Sequence, residues 1–443
     1  MLRAALVGCV MMLAGLSIAR AEDDPLKELG ERYAAQQKRF QEAVQKAKTD
    51  QERTEIFNTL HPTNYLVDDF VALEQSHRGQ PAGISALYQL IRHAISIWDP
   101  EIPASQGGVK AIQILRDHYL EHPDLNLLLG HFGGGGAIVP EAEGLLRDAT
   151  KSPHPEVRAT ARYQLARFLK RKIALQEDWG PDSPLPDSTT EGPELIAYRR
   201  ILRDQVRKMA IDPAAARTEA IRLIEQIIAE DPDIVRVFAV RESPGSLSIR
   251  PSSVEELGAT ATTYAKMADA MRFELEHLQK GQIVPEIAGK DADGIEFKLS
   301  DYRGHVVLLM FSANWCGPCK AMYPDIRKLQ AELESQPFAI LAVMGDEQID
   351  TIIQDTKSGD IRWRTWFDGR DGPISTAWHI EGWPTLFLID HNGVIISSRP
   401  SRIYEELKKA INTSLAAQKA DPNAEAQLKA HPLPELPIPK RTE

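Results

Sequence analysis

The chain has 443 residues, of which 43% are hydrophobic and 26% are charged, and its formal net charge at pH 7 is −11. This length is too great for one ordinary hydrophobic core and predicts two or three domains, while the composition is that of a soluble globular protein. The negative charge disfavours a large phosphate-binding surface, because nucleic-acid affinity depends mainly on Lys and Arg that neutralise the backbone. We therefore expect no nucleic acid among the partners.

Residues 1–21 have the three parts of a secretory signal peptide. A basic start precedes an apolar stretch over residues 4–18 and an A-x-A cleavage site at Ala19-Arg20-Ala21. The apolar stretch is shorter than the roughly 20 residues that span a bilayer. Cys9 lies in a sequence similar to a lipoprotein cleavage box, but the apolar stretch continues beyond it, which argues against lipidation. We expect export to the periplasm or another extracytoplasmic space, loss of Cys9, and no requirement for membrane association.

Residues 22–280 are predicted to form an all-α region, since apolar side chains recur at helical spacings between breakers. The segment 155–174 resembles one helix of a HEAT-type repeat. No self-similar period extends over the region, however, so a bundle or an irregular array of helices is expected. Residues 179–194 are rich in Pro, Ser, Thr and Gly and are predicted to form a loop or linker. Helices are predicted near residues 81–96, 107–122, 140–150, 155–174, 193–210, 213–230 and 253–279.

The pattern changes to that of an α/β domain over residues 281–417. A hairpin is predicted over 283–300, where Asp293-Gly294 suits a tight turn. The continuous apolar run 306–311 indicates a parallel strand that is buried on both faces. Alternating strands and helices follow, which predicts a mixed central sheet with helices on both faces. The Pro-rich tail, residues 418–443, has few apolar anchors and is predicted to be disordered.

Two cysteines, Cys316 and Cys319, remain if Cys9 is removed with the signal peptide. A structural zinc site normally has four Cys or His ligands, so no metal is expected at this pair. A disulfide that closes so small a loop would stabilise the fold little. Thiol-disulfide exchange is the better explanation, because it needs one exposed thiolate and a second thiol nearby that resolves the mixed disulfide.

Three other patterns have simpler structural explanations. The segment 118–122 fits the H-x-x-E-H pattern of some zinc sites, but Pro123 follows at once, which places both histidines at a helix end. The glycines 133–136 lack the Gly-Lys-Ser/Thr that completes a phosphate-binding loop and are predicted to be a hinge. The basic run 167–172 is predicted to be a solvated helix C-terminus.

Residues 281 to about 416 resemble a thioredoxin-fold domain of the TlpA/ResA type, the exported thiol-disulfide reductases related to the AhpC/TSA redoxins. Three segments carry the resemblance: VVLLMFSANWCGPCK, GWPTLFLIDHNGVI and IVPEIAGKDADGIEFKLSDYRGHVVLL. Cys316 lies where the strand ends and the helix begins, so the positive end of the helix dipole favours its thiolate. Cys319, one turn later, is expected to be more buried. We therefore expect Cys316 to be the nucleophile and Cys319 the resolving cysteine of a redox-active disulfide.

The residues around the two cysteines are expected to form the substrate groove. Pro318 suits the first helical turn, where its missing N–H costs nothing. By resemblance, Trp315 lies beside the active site and Pro384 is a cis-proline that faces the disulfide. The backbone of Trp383 would then hydrogen-bond an extended substrate segment. The predicted groove comprises Trp315, Gly317, Pro318, Trp383, Pro384 and Thr385.

The direction of electron flow is predicted from the Gly-Pro pair between the cysteines. Thioredoxin has the same pair, and its potential near −270 mV is lower than the value of about −180 mV for protein disulfide isomerase. This comparison favours a reductase. The resemblance implies disulfide-containing exported proteins as substrates, a membrane thiol electron donor similar to DsbD, and roles such as cytochrome c maturation or general redox homeostasis. It implies no cofactor.

Two positions depart from the pattern of the family. Thioredoxins place a buried acid late in the central strand, where this chain has Met310, and TlpA/ResA-type proteins commonly place a glutamate where this chain has Met322. Such acids shuttle the proton of the buried thiol. Water, or a carboxylate from elsewhere such as Glu381, is expected to substitute.

Two other functions stay open. A peroxiredoxin-like antioxidant would need Thr or Ser three residues before the cysteine, and this chain has Ala313 there. Alternatively, the helical region is a scaffold that binds a partner at the cell envelope, and the redox domain regulates or anchors it. Turnover of disulfides, together with the potential of the cysteine pair, distinguishes this binding protein from an enzyme.

Overall fold

The computed structural model describes residues 25–94, 102–133, 140–179, 206, 211–243, 246–380, 382–400, 402 and 404–433. The chain divides into two compact units, Met1–Tyr264 and Ala265–Glu443, so the division falls earlier than the predicted boundary at residue 281. Several predicted features lie outside the described residues: the signal peptide with Cys9, the linker beyond residue 179, most of the helix over 193–210, the glycines 134–136, and Glu381.

The first unit is predominantly helical, as the sequence predicts. Many of its helices begin at proline, whose fixed φ and missing N–H suit the first turn. Its described helices are α1 Pro25–Lys46, α2 Asp50–Leu60, α3 Pro62–Tyr65, α4 Val67–Ser76, α5 Pro81–Ala94, α6 Pro103–His118, α7 Leu125–Leu129, α8 Pro140–Ala149, α9 Pro155–Trp179, α10 Pro213–Glu230 and α11 Val254–Leu257, which is followed by a 3₁₀ turn at Gly258–Thr260.

Three details of this unit correct the sequence predictions. Strands β1 Ala239–Arg241 and β2 Ile249–Pro251 form an antiparallel pair, where only helices were predicted. The region predicted as one helix over 253–279 is interrupted after α11, and α12 begins at Tyr264. The basic run 167–172 is not a helix end, because α9 continues to Trp179, and its Lys172 is only 14% exposed and lies 2.8 Å from Glu143 Oε2. The ion pair with Glu143 compensates the charge of the largely buried Lys172.

The second unit contains a mixed sheet and its covering helices. After α12, Tyr264–His277, the elements are β3 Ala288–Lys290, β4 Glu296–Lys298, a 3₁₀ turn Leu299–Tyr302, β5 Val306–Ser312, α13 Gly317–Glu332, β6 Phe338–Met344, α14 Ile349–Ser358, β7 Arg364–Phe367, α15 Pro373–Ala377, β8 Thr385–Ile389, β9 Ile395–Ser397, α16 Tyr404–Ala420 and α17 Ala424–Ala430. The strand order is β7-β6-β5-β8-β9, while β3 and β4 form a separate hairpin. This arrangement confirms the predicted α/β fold of the thioredoxin type.

The central strands place the loops that follow them at one edge of the sheet. β5 and β6 are parallel, with Ser312 opposite Met344, and β8 pairs with β5 in the antiparallel direction. Every residue of β5 and β6 is buried, as expected for strands covered on both faces. Alternate side chains of β5 enter two apolar clusters: Leu308 and Met310 pack with the cysteines, and the intervening residues pack on the opposite face.

The tail prediction is wrong for its first part, because the chain continues in helices α16 and α17 beyond residue 418. Polar contacts hold this segment. Gln418 is buried and donates a hydrogen bond to the carbonyl of Gly304, and His391 Nε2 lies 2.8 Å from Asp421 Oδ2. A count of apolar anchors does not detect such contacts. Residues 434–443 lie outside the described part of the chain.

Within the described ranges, no helix combines the length and the apolar character that crossing a bilayer requires.

A buried ion pair connects the β3–β4 hairpin to the sheet. Arg364 Nη2 lies 2.9 Å from Asp291 Oδ2, and these side chains are only 8% and 4% exposed. The guanidinium also lies over the ring of Phe297, which stacks on Trp366 with the ring centroids 4.1 Å apart. Asp291 Oδ1 accepts the N–H of Ile295 at 2.8 Å and so fixes the turn. Removal of either partner would leave an uncompensated buried charge.

We predict that Arg364→Leu lowers the free energy of unfolding by about 3 to 5 kcal/mol, since breaking a buried pair leaves Asp291 unpaired. The matched control is Arg370→Leu, whose exposed pair with Glu347 is worth about 0 to 1 kcal/mol. Chemical denaturation of the full chain followed by tryptophan emission measures both, because most of the 7 tryptophans lie in the second unit. Equal losses in the two variants would contradict the assignment.

Candidate active site

Cys316 and Cys319 form a disulfide at the N-terminus of α13, with their Cα atoms 5.3 Å apart. Cys316 is the N-cap residue of this helix, and its Sγ accepts the N–H of Cys319 at 3.2 Å. Cys316 is 5% exposed and Cys319 is 1% exposed. The first turn of a helix has N–H groups without intrahelical partners and the positive end of the dipole, and both favour a thiolate at Cys316 once the disulfide is reduced.

The residues between the cysteines form the exposed part of the site. Gly317 and Pro318 are both exposed, and Pro318 occupies the first turn of α13 as expected. A Cβ atom at Gly317 would meet nothing within 4 Å apart from its own chain neighbours. The surface immediately over the disulfide is therefore open to an approaching molecule.

Two tryptophans lie on one side of this surface. Trp315 is 49% exposed, and its Nε1 donates a hydrogen bond to the carbonyl of Gly345 at 2.8 Å. Its ring meets that of Trp383 edge to face, with the centroids 5.3 Å apart. Trp383 is half-buried, and its Nε1 has no hydrogen-bond partner among the described residues. The hydrogen bond and the ring contact together fix the orientation of Trp315.

The bond between Trp383 and Pro384 is cis, as the resemblance implies. Pro384 is buried, and its carbonyl accepts a hydrogen bond from Arg402 Nη2 at 2.9 Å. Thr385, the first residue of β8, pairs with Phe311 of β5 and donates from Oγ1 to the carbonyl of Gly382 at 2.7 Å. The cis turn is thus held from both sides at the end of the strand that neighbours β5.

Buried polar groups lie between β5, α13 and β6. Ser312 Oγ and Tyr323 OH are 2.9 Å apart, and burial raises the pKa of Tyr323 to about 12. Asp346, which follows β6, is 3% exposed, and its Oδ1 accepts the backbone N–H of Asn314 at 3.0 Å. Burial raises the pKa of the Asp346 carboxyl above its ordinary value.

The two positions where the resemblance implies acids lie in apolar surroundings. Met310 is 3% exposed in the apolar cluster that contains both cysteines, and Met322 packs against the same cluster. Glu381, the substitute considered from the sequence, lies outside the described residues. Asp346 was missed from the sequence, although a signal was present. It lies two residues after the end of the buried parallel strand β6, and such positions meet at the same sheet edge as the residues that follow β5.

The histidine motif of the first unit has structural contacts instead of a metal-site geometry. His118 is the last residue of α6, so the helix ends before the predicted residue 122 and His122 lies beyond it. His118 Nε2 lies 3.0 Å from Arg78 Nη1. His122 Nε2 lies 3.4 Å from the carbonyl of Gly79. In the ranges that the structure describes, no group of three or more His, Cys, Asp or Glu is placed to hold a metal ion.

Comparison with known proteins agrees with the geometry of the second unit. The AhpC/TSA family model matches residues 280–398. The thiol-disulfide oxidoreductase ResA of Bacillus thuringiensis subsp. konkukian is 28% identical over 121 residues, which are 27% of this chain and 69% of that protein. ResA of Oceanobacillus iheyensis is 32% identical over 148 residues, which are 32% of this chain and 76% of that protein.

Solved structures include a thioredoxin-family thiol:disulfide interchange protein from Chlorobium tepidum TLS. It is 23% identical, covers 31% of this chain and 98% of its own, and superimposes with a TM-score of 0.27. The family assignment rests on the sequence relatives, because the match covers most of the length of ResA from Oceanobacillus iheyensis. Through its second unit, the chain belongs to the ResA family of thiol-disulfide oxidoreductases.

Proposed function

We propose that this protein is an exported disulfide reductase in which Cys316 is the nucleophile and Cys319 the resolving cysteine. The observation that carries the proposal is the position of Cys316 Sγ at the cap of α13, where it accepts a helix N–H. Cys316 is also the more exposed of the two residues, at 5% against 1%. A thiolate that is both stabilised and accessible is the one that attacks, and the buried thiol one turn away resolves.

The proposed reaction has two exchange steps. The Cys316 thiolate attacks one sulfur of a target disulfide, which forms a mixed disulfide and releases the other target sulfur as a thiolate. Cys319 then loses its proton and attacks Cys316 Sγ, and the second target sulfur leaves. The target gains two electrons, and the protein returns to the Cys316–Cys319 disulfide of the structure. A thiol donor must reduce this disulfide before the next cycle.

The tryptophans and the cis turn support an extended binding mode for the target. Trp315 and Trp383 offer aromatic surface at the disulfide, and Pro384 keeps the preceding backbone at the end of β8. An extended segment that hydrogen-bonds the backbone of Trp383 would lie beside Cys316, as in recognition by strand addition. Thr385, Gly317 and Pro318 complete the proposed groove.

The proposed direction of electron transfer and the proposed cellular compartment are both inferred from the sequence. The Gly-Pro pair between the cysteines favours a low potential and hence reduction of the target. The signal-peptide pattern of residues 1–21 supports action in the periplasm or another extracytoplasmic space. We therefore propose disulfide-containing exported proteins as substrates and a membrane thiol protein similar to DsbD as the electron donor. Cytochrome c maturation and general redox homeostasis are the roles that fit these partners.

We predict that Cys316→Ser reduces the rate of insulin-disulfide reduction to that of the uncatalysed reaction, because the attacking thiolate is lost. Cys319→Ser should instead accumulate mixed disulfides with its targets, since the resolving thiol is absent. Non-reducing gel electrophoresis measures the trapped species, and the double variant is the control that should trap nothing. Full activity of either single variant would contradict the proposed function.

A separate prediction concerns the groove. Trp315→Ala should raise KM for a peptide disulfide about tenfold, which corresponds to ~1.4 kcal/mol of lost aromatic contact, while reduction of a small aromatic disulfide changes less than about twofold. The matched control is Ile295→Ala in the β3–β4 hairpin, because Ile295 is also about half exposed, at 53%. The same KM for the peptide in Trp315→Ala and in the unmodified protein would exclude Trp315 from the groove.

A further inference from the structure

Asp346 is a buried acid with one oxygen that the fold does not use. Its Oδ1 accepts the N–H of Asn314, two residues before Cys316, at 3.0 Å. Its Oδ2 is buried and has no hydrogen-bond partner among the described residues. The N–H of the preceding Gly345 donates to the carbonyl of Ser312 at 2.8 Å, so the loop after β6 is held against the loop that leads to the disulfide. A buried polar atom without a partner is costly, which calls for a reason for its retention.

The charged and titratable groups that face Asp346 come from two helices. From α13, Lys320 attracts the carboxylate, and Tyr323 lies near enough for Asp346 to raise the pKa of its hydroxyl. From α14, Asp355 repels the carboxylate. Burial has the largest effect on the pKa of Asp346 and raises it. The repulsion by Asp355 acts in the same direction, and the attraction of Lys320 acts against it. The hydrogen bond from Asn314 holds this carboxyl against the loop that leads into α13, and the first turn of that helix contains Cys319.

We propose that Asp346 is the acid that exchanges a proton with Cys319 in the resolving step. This inference rests on the proposed function and names the group that replaces the acids absent at Met310 and Met322. Cys319 is 1% exposed, so its proton needs an acceptor inside the domain. Asp346 and Asp355 each have a buried carboxylate oxygen without a hydrogen-bond partner among the described residues. We assign the role to Asp346, because its other oxygen is bonded to the loop that leads into Cys316 and Cys319, whereas Asp355 lies on α14.

The proton balance of the step is simple. The proton of Cys319 Sγ passes to Asp346 Oδ2, directly or across one bridging water, and the Cys319 thiolate attacks Cys316 Sγ. The bond between Cys316 and the target sulfur breaks, and the target leaves as a thiolate with the electron pair. That thiolate, or water, then takes the proton from Asp346. When a donor reduces the protein disulfide, the protonated Asp346 returns a proton to the Cys319 thiolate.

The test compares Asp346→Asn with Glu347→Gln in the full chain. Asn retains the acceptor for the N–H of Asn314 but cannot accept the proton, and Glu347 is the adjacent carboxylate with a side chain that is 67% exposed. Mixed disulfides preformed with a peptide thiol are followed to resolution by rapid quenching. We expect Asp346→Asn to resolve about 100-fold more slowly at pH 7, the usual scale of general acid–base catalysis, and Glu347→Gln to match the unmodified protein.

The pH profile separates proton transfer from a merely structural role. In the unmodified protein, resolution should slow as pH falls through the raised pKa of Asp346, because the carboxylate is the acceptor. Asp346→Asn should lose this decrease in rate at low pH. Its rate of resolution should approach that of the unmodified protein only near pH 8.5 and above, where an ordinary thiol ionises unaided. A variant with the unmodified rate and profile would overturn the inference, as would an equal loss at all pH values.

The stability of Asp346→Asn is tested separately from its activity. A carboxyl with a raised folded-state pKa contributes stability below its unfolded pKa and loses that contribution as pH rises through the folded value, so Asp346→Asn should be at least as stable at pH 7. If the variant does not fold, the carboxyl of Asp346 can be titrated by NMR in the unmodified protein. A pKa that differs between the reduced and the disulfide states supports the coupling, and identical pKa values would overturn it.

The outcomes also distinguish this inference from the proposed function. Failure of the unmodified protein to reduce any disulfide would contradict the proposed function itself. Normal turnover by the unmodified protein and by Asp346→Asn alike would leave the reductase intact and overturn only the role of Asp346.

Discussion

The contact between Cys316 Sγ and the N-terminus of α13 is the interaction on which the proposed chemistry depends. A helix leaves its first N–H groups without partners, and here the sulfur occupies the cap that Ser, Thr, Asp or Asn usually fill. The capping group becomes an anion when the disulfide is reduced, and the helix dipole favours that anion by about 0.3 to 1 kcal/mol at an exposed site and more where it is partly buried. The same residue therefore ends the loop after β5, begins the helix and acts as the proposed nucleophile.

The sheet determines what surrounds this cap. β5 and β6 are parallel and end in register at Ser312 and Met344, so the loops that follow both strands meet at one edge. The first loop ends at Cys316, and the second contains Gly345 and Asp346. Gly345 accepts the indole N–H of Trp315, and Asp346 accepts the N–H of Asn314. The aromatic surface and the buried acid are thus positioned by one pair of strands.

Much of this unit was predictable because its signals are local. The buried run of β5, the Cys-Gly-Pro-Cys segment at a helix start, and the cis-proline at residue 384 each depend on residues that are adjacent in sequence. The features that were missed either have weak local signals or depend on contacts between distant residues. Helix α17 follows a segment held by the pair of His391 and Asp421, and the strand pair of β1 and β2 is short and only partly buried. The role proposed for Asp346 needs its burial and its unpaired oxygen, and neither can be deduced from one carboxylate in the sequence.

The central claim is that the cysteine pair donates electrons to target disulfides. The most direct test is the reduction potential of the Cys316–Cys319 couple in the full chain, measured by equilibration with thiol buffers of known potential and by alkylation of the free thiols. The account predicts a value within about 50 mV of thioredoxin, near −270 mV. A value close to about −120 mV, that of the strong oxidant DsbA, would show that the pair accepts electrons from its targets and would contradict the account.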